Sequence, residues 1–132
     1  MKCLSLLQPY AWAVAVGLKT LETRTWATSY RGPLLIAASK RLHKPHYDYL
    51  KSIGIQMPKP ADFEYGKIIA TARLDECVRF TQALVPQALC PLYDGYGFWL
   101  SEVRMLNEPV PVKGALGLYE VPWLPPGQVT AS

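Results

Sequence analysis

Three charged residues of complementary type fall within six positions of this chain: Lys19, Glu22 and Arg24, in the stretch GlyLeuLysThrLeuGluThrArg at 17–24. Withdrawn from water, such a trio can do chemistry. A desolvated lysine beside a carboxylate can serve as nucleophile or base, because its pKa responds readily to burial. A carboxylate reads the amino edge of a nucleobase, and an arginine holds a phosphate or a carbonyl. Tyr10, Trp12, Trp26, Tyr96 and Trp99 could stack a base, although aromatics at strand and helix spacing commonly fill the core. On a solvated strand face the same charges would simply meet water, the Glu22–Arg24 pair then being worth about 0.2–1 kcal/mol.

The neighbouring elements set the trio's position. LysCysLeuSerLeuLeu at 2–7 alternates weakly and reads as a short, largely buried strand. Pro9 suits a first helical position and Gly17 the residue just past a helix end. The run between them is apolar nearly all round, which predicts a short helix buried on most sides. Lys19 then falls on the turn into a strand over 20–26, where Thr20, Glu22, Arg24 and Trp26 share one face.

Further on, ArgGly at 31–32 is a turn and 33–38 a buried strand. LysArgLeuHisLysProHis at 40–46 is the one dense basic segment, read as a solvated loop or a phosphate contact. A helix over 45–53 and a proline-containing loop over 54–65 follow. A long strand runs from Gly66 toward Val78, and 81–93 is irregular or briefly helical. A strand over 97–106 precedes an edge strand, a tight turn and a last strand within 109–121. Five or six short strands with two or three helices predict a mainly β fold with flanking helices (α+β). The expected form is a small, mostly antiparallel β-barrel, closed or nearly so. Residues 1–124 read as one domain, and 125–132 as a frayed tail.

Half of the residues are hydrophobic, enough for a core and against wholesale disorder. A formal charge of +4 mildly favours anionic partners. No apolar stretch is long enough to cross a bilayer, and a signal peptide is not evident, so no membrane contact is expected. Cys3, Cys77 and Cys90 are odd in number and without a CysXXCys pair, which argues for a reduced, cytoplasmic setting. His43 and His46 lack a third ligand nearby, so neither a metal nor any other cofactor is expected. No glycine-rich phosphate loop is present. Ser29 and Ser39 lack a nucleophile elbow, and Cys77 reads as a packed thiol.

GlyLeuLysThrLeuGluThrArg resembles the GxKxxExR signature of the ASCH domain family. Other segments fall where that family places them: LeuSerLeuLeuGlnProTyrAla at 4–11, ArgGlyProLeuLeuIleAlaAlaSerLys at 31–40, GlyLysIleIleAlaThrAlaArgLeu at 66–74, GlyPheTrpLeu at 97–100 and ProValLysGlyAlaLeuGlyLeuTyr at 111–119. The resemblance covers roughly residues 3–121. It implies a barrel similar to the PUA fold, with a cleft beside the first helix that meets RNA, nucleotides or modified nucleosides. By the same resemblance Lys19, Glu22 and Arg24 line that cleft, with Lys113 as a fourth member.

Two enzymatic branches of the family bear on this chain. One removes the acetyl group from N4-acetylcytidine with a lysine, a threonine and a glutamate; Lys19 matches the lysine, but Glu22 stands in the threonine's place. The other is a ribonuclease whose essential lysine would again be Lys19.

The leading expectation is a monomeric RNA-, nucleotide- or nucleoside-binding domain. A base would enter near Lys19 and Glu22, beside Tyr10 and Trp26, with phosphates at Arg24, Arg31, Lys40, Arg41 and Lys44. The alternative is a hydrolase of a modified nucleoside or of RNA, in which Lys19 activates water or attacks and Glu22 shuttles the proton. A structural or protein-interaction module is the third, if Trp12 and Trp99 fill the cleft.

Overall fold

The computed structural model describes residues 1–123; the tail expected at 125–132 lies outside them. The strands are β1 (Lys2–Gln8), β2 (Leu21–Arg24), β3 (Gly32–Leu42), β4 (Lys67–Arg79), β5 (Tyr96–Pro111) and β6 (Leu118–Glu120), with helix α1 (Tyr10–Ala15) after β1, α2 (Lys44–Ser52) after β3 and α3 (Val85–Ala88) after β4. The strands form one sheet in the order β2-β5-β4-β3-β1-β6. All neighbours are antiparallel except β1 and β3, which run parallel. The fold is mainly β with flanking helices, as its patterning predicts. The ladder is open, however, with β2 and β6 as its edges.

Both faces of the central strands are apolar, and alternation sorts them into two clusters. Leu34, Ile36 and Ala38 of β3 join Leu4 and Leu6 of β1 in the larger core, whereas Leu35, Ala37 and Cys3 point into a smaller one. Helix α1 plugs the larger side, packing on β1, β3, β4 and β5. Its residues Tyr10, Ala11, Ala13, Val14 and Ala15 are all buried, so a helix too short to be stable alone is held by packing. Register irregularities in the β4–β5 ladder let these two long strands bend around the plug.

Two boundaries differ from the sequence reading. Strand β3 runs on through Lys40, Arg41 and Leu42, because Leu42 pairs with Gln8 of β1 and His43 N–H donates to Gln8 O at 2.8 Å. The basic segment is therefore a strand end and a helix start rather than a loop. Strand β5 absorbs 109–111, where its partners are Lys67 and Ile68 of β4 alone. Prolines are tolerated there because that side of the strand is an edge.

Candidate functional site

The end of α1 places the lysine. Gly17 takes φ +86°, the left-handed conformation that costs glycine least. The reversal lets Leu18 N–H and Lys19 N–H both donate to Ala13 O, at 2.9 and 3.0 Å. The chain is thereby folded back beneath the helix, and Lys19 is fully buried. An ammonium carries three protons and no acceptor, and each direction is taken. Nζ donates to Ala88 O, lies 3.7 Å from Glu22 Oε1, and sits 4.3 Å from the centre of the Tyr10 ring. Burial pulls the Lys19 pKa below the ordinary lysine value, and the Glu22 carboxylate only partly opposes it.

Glu22 and Arg24 extend this network along β2. Glu22 is 4% exposed, and its Oε2 accepts from Arg24 Nε at 2.9 Å. Arg24 Nη2 donates to Ser5 O at 2.7 Å. Their backbone register is fixed by β5, with Glu22 opposite Phe98 and Arg24 opposite Tyr96. Gly95 makes the fit possible, since a Cβ there would lie 2.4 Å from Arg24 O.

Between β2, β1, α2 and the segment after α3 lies a cleft of about 700 Å³, within the range of small-ligand sites. Among the described residues Glu22 and Arg24 are the only Lys, Arg, Asp or Glu side chains on its lining; Tyr10, Trp26, His43, His46, Tyr49 and Tyr93 supply its rings. Tyr10 stacks on His46 with centroids 4.1 Å apart and planes at 22°, while Trp26 meets Phe98 edge-on at 5.2 Å. The chain leading into the wall formed by Cys90, Pro91, Leu92 and Tyr93 is a strap whose successive carbonyls are captured by donors from α1 and the turn after it. Gln87 O accepts from Thr20 N–H, Ala88 O from Lys19 Nζ, and Leu89 O from the Tyr10 hydroxyl.

The two histidines line the cleft from the start of α2. His43 caps α2, its Nδ1 accepting from His46 N–H at 3.4 Å, and the rings lie 3.9 Å apart. Burial, with His43 and Lys19 acting in the same direction, pushes His46 down to about 4. Its Nδ1 is buried with no hydrogen-bond partner among the described residues. Among the described residues no group of three or more His, Cys, Asp or Glu is gathered to hold a metal, and no helix is long and apolar enough to cross a membrane.

The structure brings together most of the residues singled out from the sequence. Glu22, Arg24, Tyr10 and Trp26 line the cleft, and Lys19 lies buried behind Glu22. Lys40 and Lys113 line an adjoining groove of about 500 Å³. Arg31 and Arg41 line neither; Arg31 donates to Thr28 O and Tyr30 O and faces Glu76 at 4.0 Å. Trp12 packs on Phe63, and neither it nor Trp99 enters the cleft. Sequence reasoning misses Tyr49 and Tyr93. For Tyr49 a signal exists, since it stands three positions after His46 on the same face of α2; for Tyr93, in an irregular segment, none does.

Residues 4–110 match the ASCH domain. A segment of 84 residues is 31% identical to activating signal cointegrator 1 of Homo sapiens, and equally to that of Mus musculus, covering 58% of this chain. The match spans only 14% of those proteins' length. Among solved structures, the fold is similar to that of an ASCH protein from Zymomonas mobilis, with TM-score 0.60 and 14% identity over 92% of this chain and 87% of that one. A single-residue variant of the same protein gives TM-score 0.61 and 15% identity, over 92% and 89%.

Proposed function

Because the chain belongs to the ASCH domain family, we propose that its cleft binds a nucleobase, presented by RNA or by a nucleoside or nucleotide. The observation that carries this reading is a ring-lined cleft whose Lys, Arg, Asp and Glu content is one ion pair, Glu22 with Arg24. Flat aromatic walls take the faces of a base. A carboxylate beside a guanidinium offers acceptors and donors to its edge. Glu22 is held on both oxygens by cations, so its orientation is set before a ligand arrives. Such preorganisation lowers the entropy lost on binding.

In this reading Glu22 and Arg24 touch the ligand and Lys19, enclosed behind them, positions Glu22. The domain acts as a monomer. Equilibrium binding of short single-stranded RNAs and of the four ribonucleosides at low salt tests the proposal. Wild type is expected to bind, and Glu22→Gln to weaken binding about tenfold or more by the loss of one charged hydrogen bond. No detectable binding to any of these by wild type would refute it.

A hydrolytic reading draws on a different observation, the lowered pKa of Lys19 next to a carboxylate on the cleft wall. Glu22 would then be the proton-transferring group, with Lys19 tuning it from behind. Incubation with acylated nucleosides and short RNAs separates this from binding alone: turnover lost in Glu22→Gln supports hydrolysis, and no turnover in wild type excludes it for those substrates.

A further inference from the structure

The groove beside the cleft differs from it in charge. Among the described residues it is lined by Lys40 and Lys113 and by no carboxylate, whereas the charges of Glu22 and Arg24 in the cleft oppose one another. The two spaces are continuous, since Ser5, Ser39, Ala115 and Leu116 line both. Leu116, 97% exposed, stands on their common rim.

The two lysines are also set apart from other cations near this end of the sheet. Lys44 is paired with Asp48 at 2.6 Å and Lys67 with Glu64 at 3.1 Å. Neither Lys40 nor Lys113 has an ion-pair partner among the described residues. Arg41, Lys51, Lys59 and Arg104 share that property, but none of them lines either space.

The backbone beneath the two lysines is tied together through Gly66. Gly66 N–H donates to Ala38 O at 2.9 Å, and Val112 N–H donates to Gly66 O at 3.1 Å. The Lys40 stem lies over that glycine, for a Cβ added at Gly66 would come 3.4 Å from Lys40 Cγ. Two lysines are thus carried on linked backbone along one groove, next to a ring-lined cleft.

We propose that the groove of Lys40 and Lys113 is a phosphate subsite of the base cleft. The ligand is then a phosphorylated nucleotide, free or within RNA, rather than a bare nucleoside. The inference rests on the base-binding reading above and adds what is attached to the base. Lysine suits this task as a compact charge on a flexible stem that follows a phosphate without imposing one geometry.

The test compares each ribonucleoside with its 5′- and 3′-monophosphates and a dinucleotide, with inorganic phosphate alone as a further arm. At low salt at least one phosphorylated form is expected to bind about tenfold tighter than its nucleoside. Lys40→Gln with Lys113→Gln should remove that gain and leave the nucleoside's affinity unchanged. A charge-matched control, Lys51→Gln with Lys59→Gln, should keep it, and thermal melts establish that both variants are folded. The dinucleotide arm tells a bridging phosphodiester from a terminal phosphate.

Equal affinity of nucleoside and monophosphates overturns the subsite while leaving the base cleft intact. Loss of the gain in the charge-matched control also overturns it, by showing an unlocalised field effect. So does inorganic phosphate binding as tightly as the nucleotides. Absence of binding by nucleosides, nucleotides and RNA alike refutes the base cleft itself, and the subsite with it.

Discussion

Arg24, on the edge strand β2, donates through Nη2 to the backbone carbonyl of Ser5 on β1 at 2.7 Å, although three strands separate β2 from β1 in the sheet. The sheet is therefore curled far enough to bring its near-opposite ends together, and a side chain spans what a ladder does not. The same guanidinium holds Glu22 through Nε at 2.9 Å. Arg24 joins two jobs, closing the fold across the cleft and fixing the carboxylate within it.

Arg24→Lys should therefore be a costly change despite keeping the charge. A single ammonium cannot reproduce a planar fork that bonds two acceptors in fixed directions. The loss of one charged hydrogen bond is expected to lower stability by about 1–3 kcal/mol. Urea melts of wild type and variant measure it, and an unchanged midpoint would show that the Ser5 contact does not hold the edge.

The pairing of buried Lys19 with Glu22 has its own signature. Lys19→Met removes one partner of a buried pair and leaves Ala88 O without its donor, which should cost about 3–5 kcal/mol near neutral pH. Because burial lowers the Lys19 pKa in the folded chain, the unfolded chain holds that proton up to the ordinary 10.5 after the folded chain has released it. The unfolded state binds more protons in that window, so this group's contribution makes stability rise with pH. Wild-type stability should climb relative to Lys19→Met as pH is raised toward 10. Above that, the raised hydroxyls of Tyr10 and Tyr119, the latter about 12, act with the opposite sign. A pH-independent difference between the two proteins would contradict the lowered pKa.

How much of this site is legible in the sequence depends on the kind of contact involved. The grouping of Lys19, Glu22 and Arg24 is legible because Gly17 stops an apolar helix two residues before the lysine, and period-2 alternation puts Glu22 and Arg24 on one face. Depth is not. Lys19 is enclosed only because α1 plugs the sheet against four strands, a long-range fact that no local pattern carries. The strap is equally hidden, since Gln87, Ala88 and Leu89 contribute backbone carbonyls, which every residue type offers. Strand β5 exceeds its expected span because Pro109 and Pro111 look like breakers, and only the sheet order shows that their side of the strand is unpaired.

His46 offers an acid-side counterpart. Its folded value of about 4 lies below the ordinary 6.5, so between those values the unfolded chain binds the extra proton and stability falls as pH falls. His46→Phe keeps a ring against Tyr10 and removes the titration. Wild type is expected to lose melting temperature relative to this variant from pH 6.5 to 4, and its His46 ring resonances to titrate near the lower end. A midpoint at the ordinary histidine value would contradict the enclosed setting.

Trp26 provides a direct test of where a base would sit. It lines the cleft beside Glu22 and Arg24 and meets Phe98 edge-on, whereas Trp12 and Trp99 lie outside that lining. A base stacked in the cleft should therefore change tryptophan fluorescence chiefly through Trp26. Trp26→Phe retains an aromatic edge for Phe98 and should abolish most of the ligand-induced change. Trp26→Ala is expected to weaken binding by about 1–3 kcal/mol, the usual worth of one stacked base. Circular dichroism melts of both variants separate lost stacking from lost structure. If Trp26→Phe responded to ligand as wild type does, the base would have to bind away from this wall, and Glu22 would lose its claim to the base's edge.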